Sequence, residues 1–143
     1  MQKDKKYYDK FFNNYPVNVH DNPDRFRFVS SLLSGKVLDV ACGTGTLSDY
    51  YFGGYVGVDV SDVATSKARE IRRKNALFFT TDFAKNKFSS KQKFDCAYVG
   101  EFLEHIEDHT IVFENLRHLL KPTGKIFISV PNGDRVPDES HCR

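Results

Sequence analysis

The 143-residue sequence holds no tryptophan, a single methionine and five prolines, and no low-complexity linker or internal repeat divides it. It has three cysteines, at 42, 96 and 142. The count is odd and no C-x-x-C occurs, so neither a disulfide framework nor a zinc knuckle is indicated. Cys42 and Cys96 lie in apolar strand contexts, where cysteine behaves as a small hydrophobe; catalytic thiol chemistry is the sharper alternative. An excess of one charge is also missing. Twenty-one Lys and Arg stand against nineteen Asp and Glu, a net of +2. Such a balance gives no electrostatic case for nucleic-acid or membrane binding by the whole chain. No apolar run is long enough to span a membrane and no signal-peptide core is present, so the expected location is cytoplasmic.

What remains is a chain of one-domain length, 40% apolar, with thirteen Phe and seven Tyr for an aromatic-rich core. Short apolar runs occupy 36–41 (K-V-L-D-V-A), 55–60 (Y-V-G-V-D-V), 76–81 (A-L-F-F-T-T), 94–99 (F-D-C-A-Y-V) and 125–130 (K-I-F-I-S-V). They barely alternate, as strands covered on both faces should not. Helix signals fill the gaps. Asn22-Pro23 offers a cap and a first-turn proline, Phe26, Val29, Leu32 and Leu33 repeat at helical spacing, and Gly35 supplies the stop. Ser61 can cap a helix over 62–73, which ends in Arg72, Arg73 and Lys74, the right sign for a helix C-terminus. Ile111, Val112, Leu116, Leu119 and Leu120 make an apolar face over 109–120, which Pro122 and Gly124 close.

Strand–helix alternation predicts an α/β fold with a doubly wound, mostly parallel sheet, in which ligands bind where the strands end. After the first run come Ala41-Cys42-Gly43-Thr44-Gly45. Glycines let backbone approach a ligand closely. A dinucleotide loop would carry a third glycine where Ser48 stands, and Asp39 would repel a pyrophosphate. A nucleoside-like ligand with a cationic end suits the loop better. Asp59 ends the second strand and can accept hydrogen bonds from both hydroxyls of a ribose. Asp82-Phe83 ends the third, where a carboxylate and an aromatic ring suit an adenine amino group and ring; a plain Asx-turn is the alternative.

V-L-D-V-A-C-G-T-G, V-G-V-D-V-S, T-T-D-F, F-D-C-A-Y-V-G-E-F-L-E-H-I and L-R-H-L-L-K-P-T-G-K-I-F-I-S-V-P-N stand in this order between about Arg25 and Asn132. Together they resemble the motifs of the class I S-adenosylmethionine (SAM)-dependent methyltransferases, in the broad small-molecule group. The resemblance implies a Rossmann-like sheet of order 3-2-1-4-5, a core over 35–131 and an N-terminal helical lid over 1–34, within one domain, 1–143. It implies SAM as cofactor, a cofactor-binding set of Asp39, Ala41, Gly43, Gly45, Asp59, Val60, Asp82, Phe83 and Gly100, and methyl transfer to a small-molecule acceptor by in-line displacement. His105 is the candidate base, with a surface or capping role as the alternative. Glu101, Glu104 and His105, spaced i, i+3, i+4, would share a face on a helical turn and could hold a divalent cation, with His141 joining; no metal is included in the expected site. Tyr7, Tyr8, Phe11, Phe12 and Tyr15 are candidates for a lid over the site, or simply pack a helix onto the sheet. The usual last two strands of the family are missing before Arg143. A truncated or minimal form is therefore expected, its sheet edge covered by a homodimer or by the chain's own ends. Two alternatives stay open: a SAM-binding module completed by a partner or by further sequence, and, disfavoured by Ser48 and Asp39, a nicotinamide-dependent enzyme.

Overall fold

A computed structural model of the chain describes residues 3–15 and 22–132. Five strands, β1 (Lys36–Val40), β2 (Gly54–Asp59), β3 (Ala76–Thr80), β4 (Phe94–Gly100) and β5 (Leu120–Ser129), form one sheet of order β3-β2-β1-β4-β5. Every pairing is parallel, so the expected topology is the observed one. Helices α1 (Lys5–Asn14), α2 (Pro23–Leu32), α3 (Asp62–Ile71) and α4 (Thr110–Leu119) complete the fold.

The central strand shows why the runs lacked alternation. Val37, Leu38 and Val40 are all fully buried. Val37 joins Tyr55, Phe78, Cys96 and Tyr98 on the face covered by Val29 of α2 and Ala68 of α3. Leu38 and Val40 join Val56, Val58, Ala97 and Val99 on the face covered by Val112, Leu116 and Leu119 of α4. Each β1 side chain therefore meets a covering layer whichever way it points. Alternation returns at the edge, where Leu77 and Phe79 of β3 are exposed while Ala76 and Phe78 are buried.

Local signals set the helix starts. The Asn22 side chain accepts the Arg25 N–H at 3.0 Å with Pro23 in the first turn, and the Ser61 hydroxyl accepts the Ala64 N–H at 3.2 Å. Two expectations need correction. α3 ends at Ile71, and the arginines that follow are bolts rather than dipole charges: Arg72 donates to the Thr44 carbonyl at 2.9 Å, and Arg73 to those of Tyr51 and Gly53 at 3.0 and 2.7 Å. The fifth strand begins at Leu120, not 125. Leu120 pairs with Phe94, then the register shifts so that Lys125 pairs with Cys96. The residues between, Pro122 among them, bulge out of the ladder, where a missing N–H does no harm.

α1 has no buried residue; polar contacts tie it to α3, where Lys67 donates to the Phe12 carbonyl at 2.5 Å. Asp9 accepts from the Ser61 hydroxyl at 2.6 Å and from the Val63 N–H at 3.4 Å, adding a second cap to α3. Lys5 bridges Asp9 and Asp62 at 2.7 and 2.6 Å. Among the described residues no helix is long and apolar enough to cross a membrane.

Candidate functional site

The carboxyl ends of β1, β2 and β3 converge below α1. The chain leaves β1 through Ala41 at φ 60°, Gly43 at 54° and Gly45 at 76°. Left-handed backbone strains any residue with a Cβ, so Ala41 holds a conformation that glycine would take freely. The Phe12 ring of α1 lies over Gly43, 3.4 Å from where a Cβ would sit. Gly45 faces the other way: a Cβ there would meet the Phe78 ring at 2.5 Å. Gly45 therefore serves close packing of the loop on the sheet and lies on neither cavity described below.

Asp59 ties the loop to α3. One carboxylate oxygen accepts the Gly43 N–H at 2.9 Å, the other the Ser61 N–H at 2.9 Å. Burial raises its pKa, and these backbone bonds oppose the rise. The carboxylate has acceptor capacity beyond these two bonds for a ligand hydroxyl.

Two cavities open on this floor. The first, about 160 Å³, is bounded by Asp59, Val60, Asp82 and Phe83 at the strand ends, by Tyr8 and Phe12 of α1, and by Phe102, His105 and Ile106 beyond β4. The second, about 230 Å³, is bounded by Asp39, Cys42, Gly43, Tyr98 and Gly100, with Arg25 and Phe26 from the first turn of α2 and Phe11 and Tyr15 from α1. Phe12, Ala41 and Glu101 line both and form the seam. Eight of the nine expected cofactor positions thus line one cavity or both, Gly45 being the exception. Of the expected lid aromatics, Tyr8 and Phe12 face the first cavity and Phe11, Phe12 and Tyr15 the second, while Tyr7 lines neither.

Charge is divided between the cavities. Asp39 is 3% exposed and accepts the Tyr55 hydroxyl. Burial pushes its pKa up to about 7, against the lowering by that bond; Asp59 adds to the rise and Arg25 to the lowering. Asp82 is shallower: it accepts the Ala84 N–H at 3.2 Å and stands 3.6 Å from the Lys85 ammonium, so its Asx-turn role and its place on the cavity coexist. Glu101, at φ 51°, pairs with Arg25 at 3.3 Å and accepts the Ser129 hydroxyl at 3.2 Å.

His105 lines the first cavity with its Nε2 3.9 Å from a Glu104 oxygen. Leu103–His105 is a single 3-10 turn rather than an α-helical one, so the side chains of Glu101, Glu104 and His105 do not take the i, i+3, i+4 arrangement. Among the described residues no group of three His, Cys, Asp or Glu is placed to hold a metal ion; His141 lies outside the described residues. The sequence reading missed Arg25, Tyr55 and Tyr98. Arg25 had a signal: a helix that leads down into β1 must place its first turn at the carboxyl end of the sheet. The two tyrosines had none outside the strand register.

The family model for a methyltransferase domain matches residues 10–141. A ubiquinone biosynthesis O-methyltransferase of Actinobacillus pleuropneumoniae serotype 5b is 34% identical over 125 residues, 78% of this chain and 53% of its own. One of Coxiella burnetii strain Dugway 5J108-111 is 34% identical over 119 residues, 78% of this chain and 51% of its own. The chain therefore spans about half the length of these curated relatives. A crystal structure of a Pyrococcus horikoshii OT3 protein superposes with a TM-score of 0.67 at 33% identity, covering 88% of this chain and 66% of that one. The plantazolicin methyltransferase solved with S-adenosylhomocysteine (SAH) superposes at 0.66 with 23% identity, over 90% of this chain and 52% of that one, which bears on the fold alone.

Proposed function

This chain belongs to the class I SAM-dependent methyltransferase family, and from that premise we propose that it binds SAM across the two cavities and directs methyl transfer to a small-molecule acceptor. The observation that carries this reading is the sorting of charge along the floor. One cavity sets a carboxylate, Asp39, and a guanidinium, Arg25, around a space fit for a zwitterion. The other sets Asp59 and Asp82 around a space fit for a nucleoside. A pyrophosphate would meet a carboxylate in each cavity, Asp39 in one and Asp59 and Asp82 in the other.

SAM supplies a methyl group on a sulfonium, with a neutral thioether as leaving group. The chain's own residues bind, orient and exclude water. Asp59 accepts the ribose hydroxyls, and Asp82 with Phe83 borders the adenine. Asp39 takes the ammonium and Arg25 the carboxylate. Gly100 borders the methionine portion, and its lack of a Cβ leaves room for the Tyr98 ring. Tyr8 and Phe12 close the first cavity from above, which keeps the reacting groups dry and aligned. His105 accepts the proton of an acceptor hydroxyl. The curated relatives' name, O-methyltransferase, favours an oxygen as the methylated atom.

Calorimetric titration with SAH, with NAD as control, tests the cofactor assignment; micromolar SAH affinity and no response to NAD is the expected result. Transfer of label from SAM to a panel of hydroxylated acceptors tests the activity. His105→Ala should lower kcat by about 10²-fold or more with SAH affinity unchanged. A second reading, a SAM-binding module whose turnover needs further sequence or a partner, is favoured by the half-length match to the relatives. SAH binding without transfer to any acceptor would select it.

A further inference from the structure

We propose that Tyr55 is a positioning residue for cofactor capture: its hydroxyl holds Asp39 in one rotamer and in the charged state that meets the cationic amine of the ligand. The inference rests on the SAM-binding reading above and concerns a residue of β2 that lines neither cavity.

The geometry comes from the register. Tyr55 pairs with Val37, and Asp39 pairs with Gly57, so Tyr55 lies one step below Asp39 on the same face of the neighbouring strand. At Asp39's own level β2 has no side chain. A Cβ on Gly57 would meet Cys42 Sγ at 2.8 Å and the Phe78 ring at 2.9 Å. The Tyr55 ring therefore packs against Phe78, centroids 5.7 Å apart, and its hydroxyl reaches Asp39. Tyr55 is 2% exposed. A phenylalanine would fill the same volume without burying a hydroxyl, whose burial is unfavourable unless it is bonded. The hydroxyl's use is electrostatic: it donates to a carboxylate that burial pushes toward neutrality.

The groups around Asp39 leave this job to Tyr55. Arg25 of α2 also favours the charged state, but it is shared with Glu101. Asp59 of β2 opposes it. Cys42 of the loop and Tyr55 itself are pushed far up by burial and stay neutral near pH 7. Arg69 of α3 acts on Cys42, and Arg72, just past its end, on Tyr55. Tyr98 of β4 is also raised, so it too is uncharged there. Near neutral pH Asp39 is poised to change charge, and the Tyr55 bond biases it.

The test compares wild type with Tyr55→Phe by calorimetry from about pH 6 to 9, using SAH and 5′-methylthioadenosine, which keeps the adenosine and lacks the amino-acid end. Loss of a hydrogen bond to a charged group moves a titration by about one to two pH units. SAH affinity of Tyr55→Phe should fall about five- to fifty-fold at pH 7 and return to within about twofold of wild type at pH 9. The ratio of the two proteins' affinities cancels the ligand's own titration. Methylthioadenosine should bind both proteins equally. In an Asp39→Asn background the Tyr55→Phe change should leave the pH profile alone. If Tyr55→Phe alone does not fold, the double variant should, because the charge that needed the hydroxyl is gone; failure to recover would overturn the inference. A pH-independent loss of SAH affinity, or a parallel loss for methylthioadenosine, would mark Tyr55 as structural only and also overturn it. Wild type binding neither ligand would instead remove the functional reading beneath it.

Discussion

Replacing Asp39 by asparagine removes one titration while keeping an acceptor for the Tyr55 hydroxyl, and the consequence is largest without ligand. Burial moves Asp39 from 3.8 up to about 7. The folded chain therefore holds this proton more tightly than the unfolded chain. Its contribution to stability is complete below about pH 4 and is lost as pH rises through about 7. Over that window the wild type loses about 1.4 kcal/mol per pH unit, about 4 kcal/mol in all, and then levels off. Asparagine loses none of it. Asp59 is raised as well and is present in both proteins; its repulsion of Asp39 is already part of the Asp39 shift. Asp39→Asn should match wild type near pH 4 and exceed it by about 4 kcal/mol at about pH 8. For 143 residues, an unfolding entropy of about 0.3 kcal/mol/K turns that into about 13 °C of Tm. Thermal unfolding followed by circular dichroism at about pH 4, 6 and 8 measures it. SAH binding at the high end should weaken by about tenfold or more, since the proposed partner of the ammonium is gone. A Tm difference that stays constant with pH, or a wild type that is the more stable at about pH 8, would refute the assignment of Asp39 as a buried, titrating carboxylate.

Four further outcomes follow from single residues. Ala41→Gly relieves a left-handed φ of 60°; about 1–2 kcal/mol of strain less about 0.5–1 of glycine's unfolded freedom leaves a gain of about 2–3 °C in Tm, and a fall would contradict it. Gly45→Ala drives a methyl group into Phe78 at φ 76° and should cost about 3 kcal/mol or more by denaturant unfolding, whereas wild-type stability would mean the loop can shift freely. Asp9→Ala removes the acceptor of the Ser61 hydroxyl and Val63 N–H; amide exchange across α1 should rise about tenfold with the sheet unaffected, and unchanged protection would show that α1 is held by something else. Asn115→Leu strips its partners from the Phe83 and Asn86 carbonyls and the Phe88 N–H, for a loss of about 2–3 kcal/mol that an unperturbed unfolding midpoint would rule out.

The sheet was legible because its cause is local. Val37, Leu38 and Val40 are buried on alternate faces that are both covered, so an unbroken apolar run carries the information. Asn22, Pro23 and Ser61 announced their helices for the same reason, since a cap acts within three residues. The misses all depend on a distant partner. Pro122 and Gly124 carry the same turn signal whether they end a helix or sit in a bulge, and only the pairing with Phe94 and Cys96 decides. Arg72 and Arg73 look like helix-end charges until the 44–53 loop brings its carbonyls to them. Gly45 belongs to the glycine loop in sequence, yet Phe78 of β3 dictates its lack of a side chain.

The three strand-end acids show where local reading stops. In sequence they are equivalent: one carboxylate each beside a ligand site. In the fold their charges rest on different supports. Asp59 is bonded by two backbone N–H groups, which no substitution at the donor residues removes short of proline. Asp82 is partly solvated beside Lys85, where water screens and supports the charge in turn. Asp39 is buried, and the support given to its charge comes from side chains, the Tyr55 hydroxyl and the Arg25 guanidinium. A charge that backbone holds is fixed with the fold, whereas one that side chains hold can be retuned by a single substitution that leaves the fold intact. On the proposed reading, the end of the site assigned to the ligand's ammonium is thus the end whose affinity and pH response are adjustable, and the adjusting positions lie on α2 and β2, away from the glycine loop.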